Sequence, residues 1–485
     1  MNQNRLSTGI SGLDEVLYGG LISERAYIVR GGPGCGKTTI GLHFLQAGIL
    51  EGEISLFITL GEAEVQLRSI ASALNFDQNK FHFLDLSPSS EFFTQAQSYD
   101  IFSPADVERD PLTQKIVAQI ETLKPQRVFI DSITQFRYLA NDKFIFHKQI
   151  SAFLKFLKER KITVLLTTES SSEAPDEELQ FISDGIINLE FNSYGRNLSI
   201  SKFRSSNFRP GNHAMRLTDS GVLIFPRLLP DEFKQSFPTE TISSGIPDLD
   251  ELLQGGLERS TITIISGPSG VGKTTLGMQF MKEAAGRGER SLVCTFEESI
   301  DTLTRRCESV NIPVKAMLER GTLCILSIEP LLYTPDEFAN IVRQEVEKQS
   351  AQIVMIDSMS GYRLSFQQEN LTNHLHSLCR YLKNMGVATL LINEMEWITG
   401  DFRVTELGIS YLADNIIFMR YLEIRGELRK AIGVLKKRLS DFEKTLREIS
   451  ITRYGIKVGK PLTNLRGILS GNPEIIRFDD LDEPI

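Results

Sequence analysis

Short apolar and β-branched runs alternate along the chain with longer stretches in which apolar side chains return every three or four positions. Ala26–Arg30, Ile54–Thr59, Arg127–Asp131 and Thr163–Thr168 read as strands. Phe146, Ile150, Phe153, Leu154 and Leu157 carry the spacing of one buried helix face, and Leu371, Leu375, Leu378 and Leu382 do the same later in the chain. Strands that alternate with helices predict an α/β fold built on mostly parallel, twisted sheets flanked by helices.

The pattern occurs twice. Leu6-Ser7-Thr8-Gly9-Ile10, Leu13-Asp14-Glu15 and Gly19-Gly20-Leu21 return as Ile242-Ser243-Ser244-Gly245-Ile246, Leu249-Asp250-Glu251 and Gly255-Gly256-Leu257. Val128-Phe129-Ile130-Asp131-Ser132 returns as Val354-Met355-Ile356-Asp357-Ser358. A repeat of this size in unchanged order marks one duplicated functional unit. Between the copies, 226–240 carries three prolines and mixed charge, the composition of a stiff exposed connector. The expected division is an N-terminal domain at 1–225, a linker at 226–240, a C-terminal domain at 241–470 and an acidic tail at 471–485.

At 485 residues the chain exceeds what one core holds, in keeping with two large domains. A net charge of -9 supplies no chain-wide attraction for nucleic acid or an anionic membrane. The five cysteines (Cys35, Cys294, Cys307, Cys324, Cys379) form no C-x-x-C pair, which argues against a disulfide framework and a zinc site. His374 and His376 flank the Leu371–Leu375–Leu378 face rather than forming a ligand set. The N-terminus lacks a signal-peptide core and no apolar run approaches the roughly 18 residues of a membrane span. A cytoplasmic protein is expected, with neither nucleic acid nor membrane as partner.

Each copy carries G-x-x-x-x-G-K-T just after an apolar strand and at the start of a helical pattern. The first is Gly31-Gly32-Pro33-Gly34-Cys35-Gly36-Lys37-Thr38-Thr39, and the second Gly267-Pro268-Ser269-Gly270-Val271-Gly272-Lys273-Thr274-Thr275. In that context backbone N–H groups and the helix N-terminus wrap the phosphates of ATP. Lys37 and Lys273 would reach the β and γ phosphates, and the hydroxyls of Thr38 and Thr274 would ligate Mg²⁺. Asp131 and Asp357, each ending an apolar strand, would hold the metal from the other side as Walker B carboxylates. A glycine-rich turn that binds nothing would not recur in register with a matching aspartate. Cys35, at a variable loop position, is given no role of its own.

Phosphoryl transfer also needs a carboxylate that can orient or deprotonate the attacking oxygen. The strand after the P-loop helix should deliver it. The second copy ends that strand with Thr295-Phe296-Glu297-Glu298, whereas the first has Thr59-Leu60-Gly61-Glu62. Glu297, Glu298 and Glu62 are therefore the candidate catalytic acids, against the alternative that they only start a helix.

Tandem Walker A modules, the TFEE strand end and Tyr421-Leu422-Glu423-Ile424-Arg425-Gly426-Glu427 together resemble the KaiC circadian clock family, of the RecA superfamily, over almost the whole chain. The resemblance implies two tandem RecA-like P-loop domains in a double-ringed homohexamer, with ATP bound between subunits. It also implies an N-terminal ring specialised in hydrolysis and a C-terminal ring in serine/threonine autophosphorylation. Lys202-Phe203-Arg204 and Lys436-Lys437-Arg438 fall where the family carries a KxR pair that reaches the neighbour's γ-phosphate. The phosphorylation segment stands as Thr405 to Asp414, with Ser410 at the phosphoserine and Thr405 at an auxiliary threonine. Tyr411 replaces the adjacent threonine, so an ordered two-site cycle is not expected. Gly61 replaces the first of the family's paired glutamates in the first copy, leaving hydrolysis there to Glu62 or another group. The chain closes soon after Gly467-Ile468-Leu469-Ser470-Gly471, and function without a KaiA-type activator is expected.

The leading expectation is an ATPase and autokinase that signals to a protein partner by phosphorylation or nucleotide state. A RecA-like DNA-dependent ATPase is the alternative from another class, but Ser87–Asp110 and Ser327–Asp336 are acidic or neutral where DNA-binding loops should be basic. An ATP-gated scaffold without kinase activity is the third.

Overall fold

The apolar runs form the centres of two sheets, and their apolar character follows from burial on both faces. In the computed structural model the first unit holds β1 (Ala26–Gly31), β2 (Ser55–Thr59), β3 (His82–Asp85), β4 (Arg127–Asp131), β5 (Thr163–Glu169), β6 (Gly185–Asn192), β7 (Gly195–Phe203), β8 (Asn212–Thr218) and β9 (Gly221–Phe225). Tyr27 and Val29 of β1 pack in one apolar cluster with Phe44, Phe57 and Phe129. Ala26 and Ile28 face the opposite cluster, which contains Phe146, Ile150, Leu154 and Leu157 of the helix Lys143–Glu159. Strands covered on both faces read as continuous apolar runs rather than as alternations.

The structure describes residues 4–88, 104–135, 143–169, 177–366, 370–395, 409–424, 426–463, 465–466 and 474–475. Thr405, most of Ser87–Asp110 and most of the tail lie outside them. The chain divides into two units, 1–227 and 228–485. The second holds β10 (Ile262–Gly267), β11 (Ser291–Thr295), β12 (Leu323–Ser327), β13 (Ile353–Asp357), β14 (Ala388–Glu394), β15 (Asn415–Ile424), β16 (Glu427–Lys437), β17 (Arg447–Thr452) and β18 (Gly455–Pro461).

Among the described residues each sheet has nine strands. Their order is β9-β8-β7-β6-β1-β5-β4-β2-β3 in the first and, read in the same sense, β18-β17-β16-β15-β10-β14-β13-β11-β12 in the second. The pairings from β6 through β1 to β3, and from β15 through β10 to β12, are parallel. The remaining strands of each sheet add as antiparallel hairpins. These are two tandem RecA-like α/β domains. Among the described residues no helix is long and apolar enough to cross a membrane.

The opening stretch of each copy repeats for a structural reason. Asp14 accepts from Ser7 Oγ at 2.6 Å and from the Thr8 N–H at 2.8 Å, and Asp250 accepts from Ser243 Oγ and the Ser244 N–H at the same distances. Part of the segment 226–240 packs on the second unit. Leu228 is buried in its core, Phe233 meets the Tyr381 ring edge-on at 5.1 Å, and Asn384 donates to the Pro230 carbonyl at 2.7 Å. The apolar Leu228 and Phe233, not the prolines, decide where this stretch lies.

Candidate nucleotide-binding sites

β1 ends at Gly31 and the helix Lys37–Leu50 starts at the far end of the loop. β10 and the helix Lys273–Gly286 bracket the second loop in the same way. Gly36 and Gly272 precede these helices with φ of 99° and 116°, a conformation glycine adopts without strain. A Cβ at Gly272 would also lie 2.2 Å from Ile451 Cδ1. Neither helix start has a side-chain cap, so its first N–H groups are available to an anion held in the loop.

Lys37 Nζ donates to the carbonyls of Gly31 at 2.9 Å and Gly32 at 2.8 Å, and Lys273 Nζ to that of Pro268 at 2.9 Å. Burial lowers the Lys273 ammonium from the usual lysine range, while Glu394, Asp357 and Glu297 act in the opposite sense. Thr38 Oγ1 donates to Asp131 Oδ2 at 2.6 Å, and Thr274 Oγ1 to Asp357 Oδ2 at 2.7 Å. The peptide bond after each aspartate is cis. Burial raises the Asp357 carboxyl, with Thr274 and Arg306 offsetting part of the rise. A buried carboxylate beside a hydroxyl is a hard oxygen pair that suits Mg²⁺, a cation that takes few protein ligands and completes its shell with phosphate and water. Among the described residues no group of three or more His, Cys, Asp or Glu is placed to hold a metal by itself.

In the second unit these groups line a cavity of about 550 Å³ that also contains Glu297, Glu298, Arg306 and Lys430. Ser358 Oγ donates to Glu297 Oε1 at 2.7 Å, and the Gly361 N–H donates to Ser358 Oγ at 3.1 Å. Glu298 pairs instead with Arg306, at 2.7 Å. Glu62 takes the place of Glu298 in the first unit: the Thr59 hydroxyl bonds to the Glu62 backbone as that of Thr295 does to Glu298. Burial and then Asp131 raise the Glu62 carboxyl above the usual carboxylate range. Gly61 stands at the Glu297 position, where a Cβ would meet nothing within 4 Å.

The KxR pairs bond elsewhere. Lys202 donates to the carbonyls of Gln180 and Phe181, and Arg204 to that of Phe181 at 3.0 Å. Lys436 donates to the carbonyls of Ser410 at 3.2 Å and Ala413 at 2.7 Å, and Arg438 to that of Tyr411 at 3.1 Å. Lys436 and Arg438 are not among the residues lining the cavity of their own unit. Strand alternation sends the middle residue to the opposite face. There Phe203 packs on Tyr27, and Lys437 pairs with Glu258 at 2.9 Å. Ser410 and Tyr411 lie exposed in a short 3-10 turn, Ile409–Tyr411.

Sequence reasoning missed Arg306, Ser358 and a cation that rests on each loop. Lys430 Nζ donates to the Gly270 carbonyl at 3.0 Å and lies over the Tyr421 ring; Arg196 donates to the Gly34 carbonyl at 3.3 Å and lies over Phe191. The available signal was the hairpin register, which sets Tyr421 opposite Lys430 and Phe191 opposite Arg196.

A family model described as ATPase: KaiC matches residues 6–228 and again 242–463. The circadian clock oscillator protein KaiC of Parasynechococcus marenigrum (strain WH8102) is 30% identical over 498 residues, covering 100% of this chain and 96% of the relative. The proteins of the same name from Prochlorococcus marinus subsp. pastoris and Acaryochloris marina are 29% and 28% identical, over 99% and 98% of this chain and 95% and 92% of their own lengths. One site geometry built twice and one family model matched twice agree on the assignment, and with it on nucleotide binding: the chain belongs to the KaiC ATPase family.

Proposed function

We propose that this chain is an ATP hydrolase and serine/threonine autokinase in which the second unit transfers the γ-phosphoryl group of ATP to Ser410. The observation that carries the reading is Glu297, held by Ser358 in the same cavity as Lys273, Thr274 and Asp357. Glu297 accepts the Ser410 hydroxyl proton, the serine oxygen bonds to the γ phosphorus, and the bond to the β-phosphate oxygen breaks to release ADP. Thr274 and Asp357, and Thr38 and Asp131 in the first unit, would hold Mg²⁺, which neutralises charge on the β and γ phosphates. In the first unit Glu62 serves as the carboxylate that orients or deprotonates the water attacking the γ phosphorus.

Ser410, Lys436 and Arg438 share one bonded cluster apart from their own unit's cavity lining. This supports a homohexameric ring in which each cluster completes a neighbour's site, with Lys202 and Arg204 doing so for the first unit. The relatives are named circadian clock oscillator proteins, and signalling to a protein partner by phosphorylation or nucleotide state fits that name. The test is protein-bound phosphate after incubation with Mg·ATP, for wild type, Lys273→Ala and Asp357→Asn. Both variants should lose it; incorporation at the wild-type level in either would overturn the reading.

A further inference from the structure

The two adjacent acids of the second unit have different partners. Glu297 accepts a hydrogen bond from the neutral hydroxyl of Ser358, while Glu298 Oε2 meets Arg306 Nη2 at 2.7 Å. Arg306 projects from the helix Ile300–Glu308, whose N-cap Ser299 accepts from the Thr302 N–H at 3.2 Å, so the helix that carries the guanidinium is anchored beside the strand end that carries the acids. Both members of the ion pair line the cavity. A charge-assisted hydrogen bond to a guanidinium engages a carboxylate oxygen and fixes its direction, so Glu298 is committed to Arg306, whereas Glu297 is held only by the neutral hydroxyl of Ser358.

The first unit is built differently. Eight residues after Glu298 stands Arg306; eight after Glu62 stands Ile70. The unit with two acids has the arginine, and the unit with Gly61 and one acid has an apolar residue in its place.

We infer that Arg306 is a positioning residue that selects between the two glutamates, holding Glu298 as a fixed counter-ion and leaving Glu297 to take the proton. The inference rests on the autokinase reading above. Glu298 lines the same cavity as Glu297, so once freed from Arg306 it is available to substitute for its neighbour.

The experiment follows the initial rate of phosphate incorporation at Ser410 over a range of ATP concentrations. It compares wild type, Glu297→Gln, Arg306→Gln, Arg306→Lys and the Glu297→Gln/Arg306→Gln double variant, each with its thermal melting curve. Glu297→Gln should be slower by roughly 100-fold, and the double variant should recover about tenfold over Glu297→Gln as Glu298 takes over the proton. Arg306→Lys should resemble wild type. A double variant as slow as Glu297→Gln, with an unchanged melting curve, would overturn the inference. So would an Arg306→Gln protein whose half-saturating ATP rises while its maximal rate holds, since Arg306 would then be a nucleotide contact. A wild type that incorporates no phosphate overturns the autokinase reading itself and the inference with it, an outcome distinct from the other two.

Discussion

Ser358 Oγ lies 2.7 Å from Glu297 Oε1 and itself accepts the N–H of Gly361, so the proposed base is aimed by the N-cap of the helix Met359–Ser365 that follows β13 rather than by its own strand. Removing the hydroxyl should leave the acid present but free to rotate. Ser358→Ala is expected to slow phosphate incorporation about tenfold while ATP affinity changes by less than about twofold. Gly361→Ala should act in the same direction, because its Cβ would lie 2.6 Å from Phe296 Cβ and 3.1 Å from Glu297 Oε1. Rates at saturating ATP, set beside binding of a fluorescent ATP analogue, check both.

Asp414 ties three elements to the edge that carries Ser410. It accepts from the Ile262 N–H at 3.0 Å and from Lys383 Nζ at 2.9 Å, and lies 3.6 Å from Arg438. Asp414→Asn should destabilise the second unit by about 1.5–3 kcal/mol, the range for charge-assisted hydrogen bonds, and should also lower phosphate incorporation by releasing Arg438. Thermal unfolding and incorporation rate measure the two effects separately.

Arg127 is fully buried in the first unit, paired with Glu51 at 2.7 Å and with Glu53, and donating to the Ser7 carbonyl at 2.6 Å. Arg127→Ala should cost the first unit about 3 kcal/mol or more, since it leaves a void and two unpaired acids. Ile353 begins the corresponding strand of the second unit. Calorimetry should therefore show the first unit's transition moving down.

Acid should weaken the second unit through two depressed carboxyls. Burial alone would raise Glu258, but hydrogen bonds from Ser440 and Lys437 outweigh it and hold it below the usual glutamate range. Bonds from Arg447 and Thr445 hold Glu443 down as well. A carboxyl lowered in the folded state contributes stability above its unfolded pKa, about 4.3, and loses that contribution as pH falls through the folded value. Stability should drop below about pH 5, and Glu258→Gln and Glu443→Gln should each flatten that drop while lowering stability at pH 7. Urea titrations across pH 3–7 (roughly the range over which these carboxyls protonate) check the slope.

The positions of the central strands were legible because both faces of each sheet are buried, which writes Val128–Asp131 and Val354–Asp357 as unbroken apolar runs ending in an acid. The P-loops and the acid-ended strand that carries Glu297 were legible because each is written in adjacent residues. Arg306 was not: its contact with Glu298 spans eight residues and depends on where the helix Ile300–Glu308 carries the guanidinium. Lys430 and Arg196 reach their loops from across a hairpin, a relation that depends on register. The 226–240 stretch shows the same limit, since its prolines describe a local stiffness and Leu228 a distant core.

The most direct measurement is peptide mass spectrometry of the purified protein after incubation with Mg·ATP, comparing wild type with Glu297→Gln. Phosphate on the Ser410 peptide that is absent from the variant is the result expected of a second unit that acts as an autokinase. No phosphate on that peptide, in a protein that still binds or hydrolyses ATP, would contradict it.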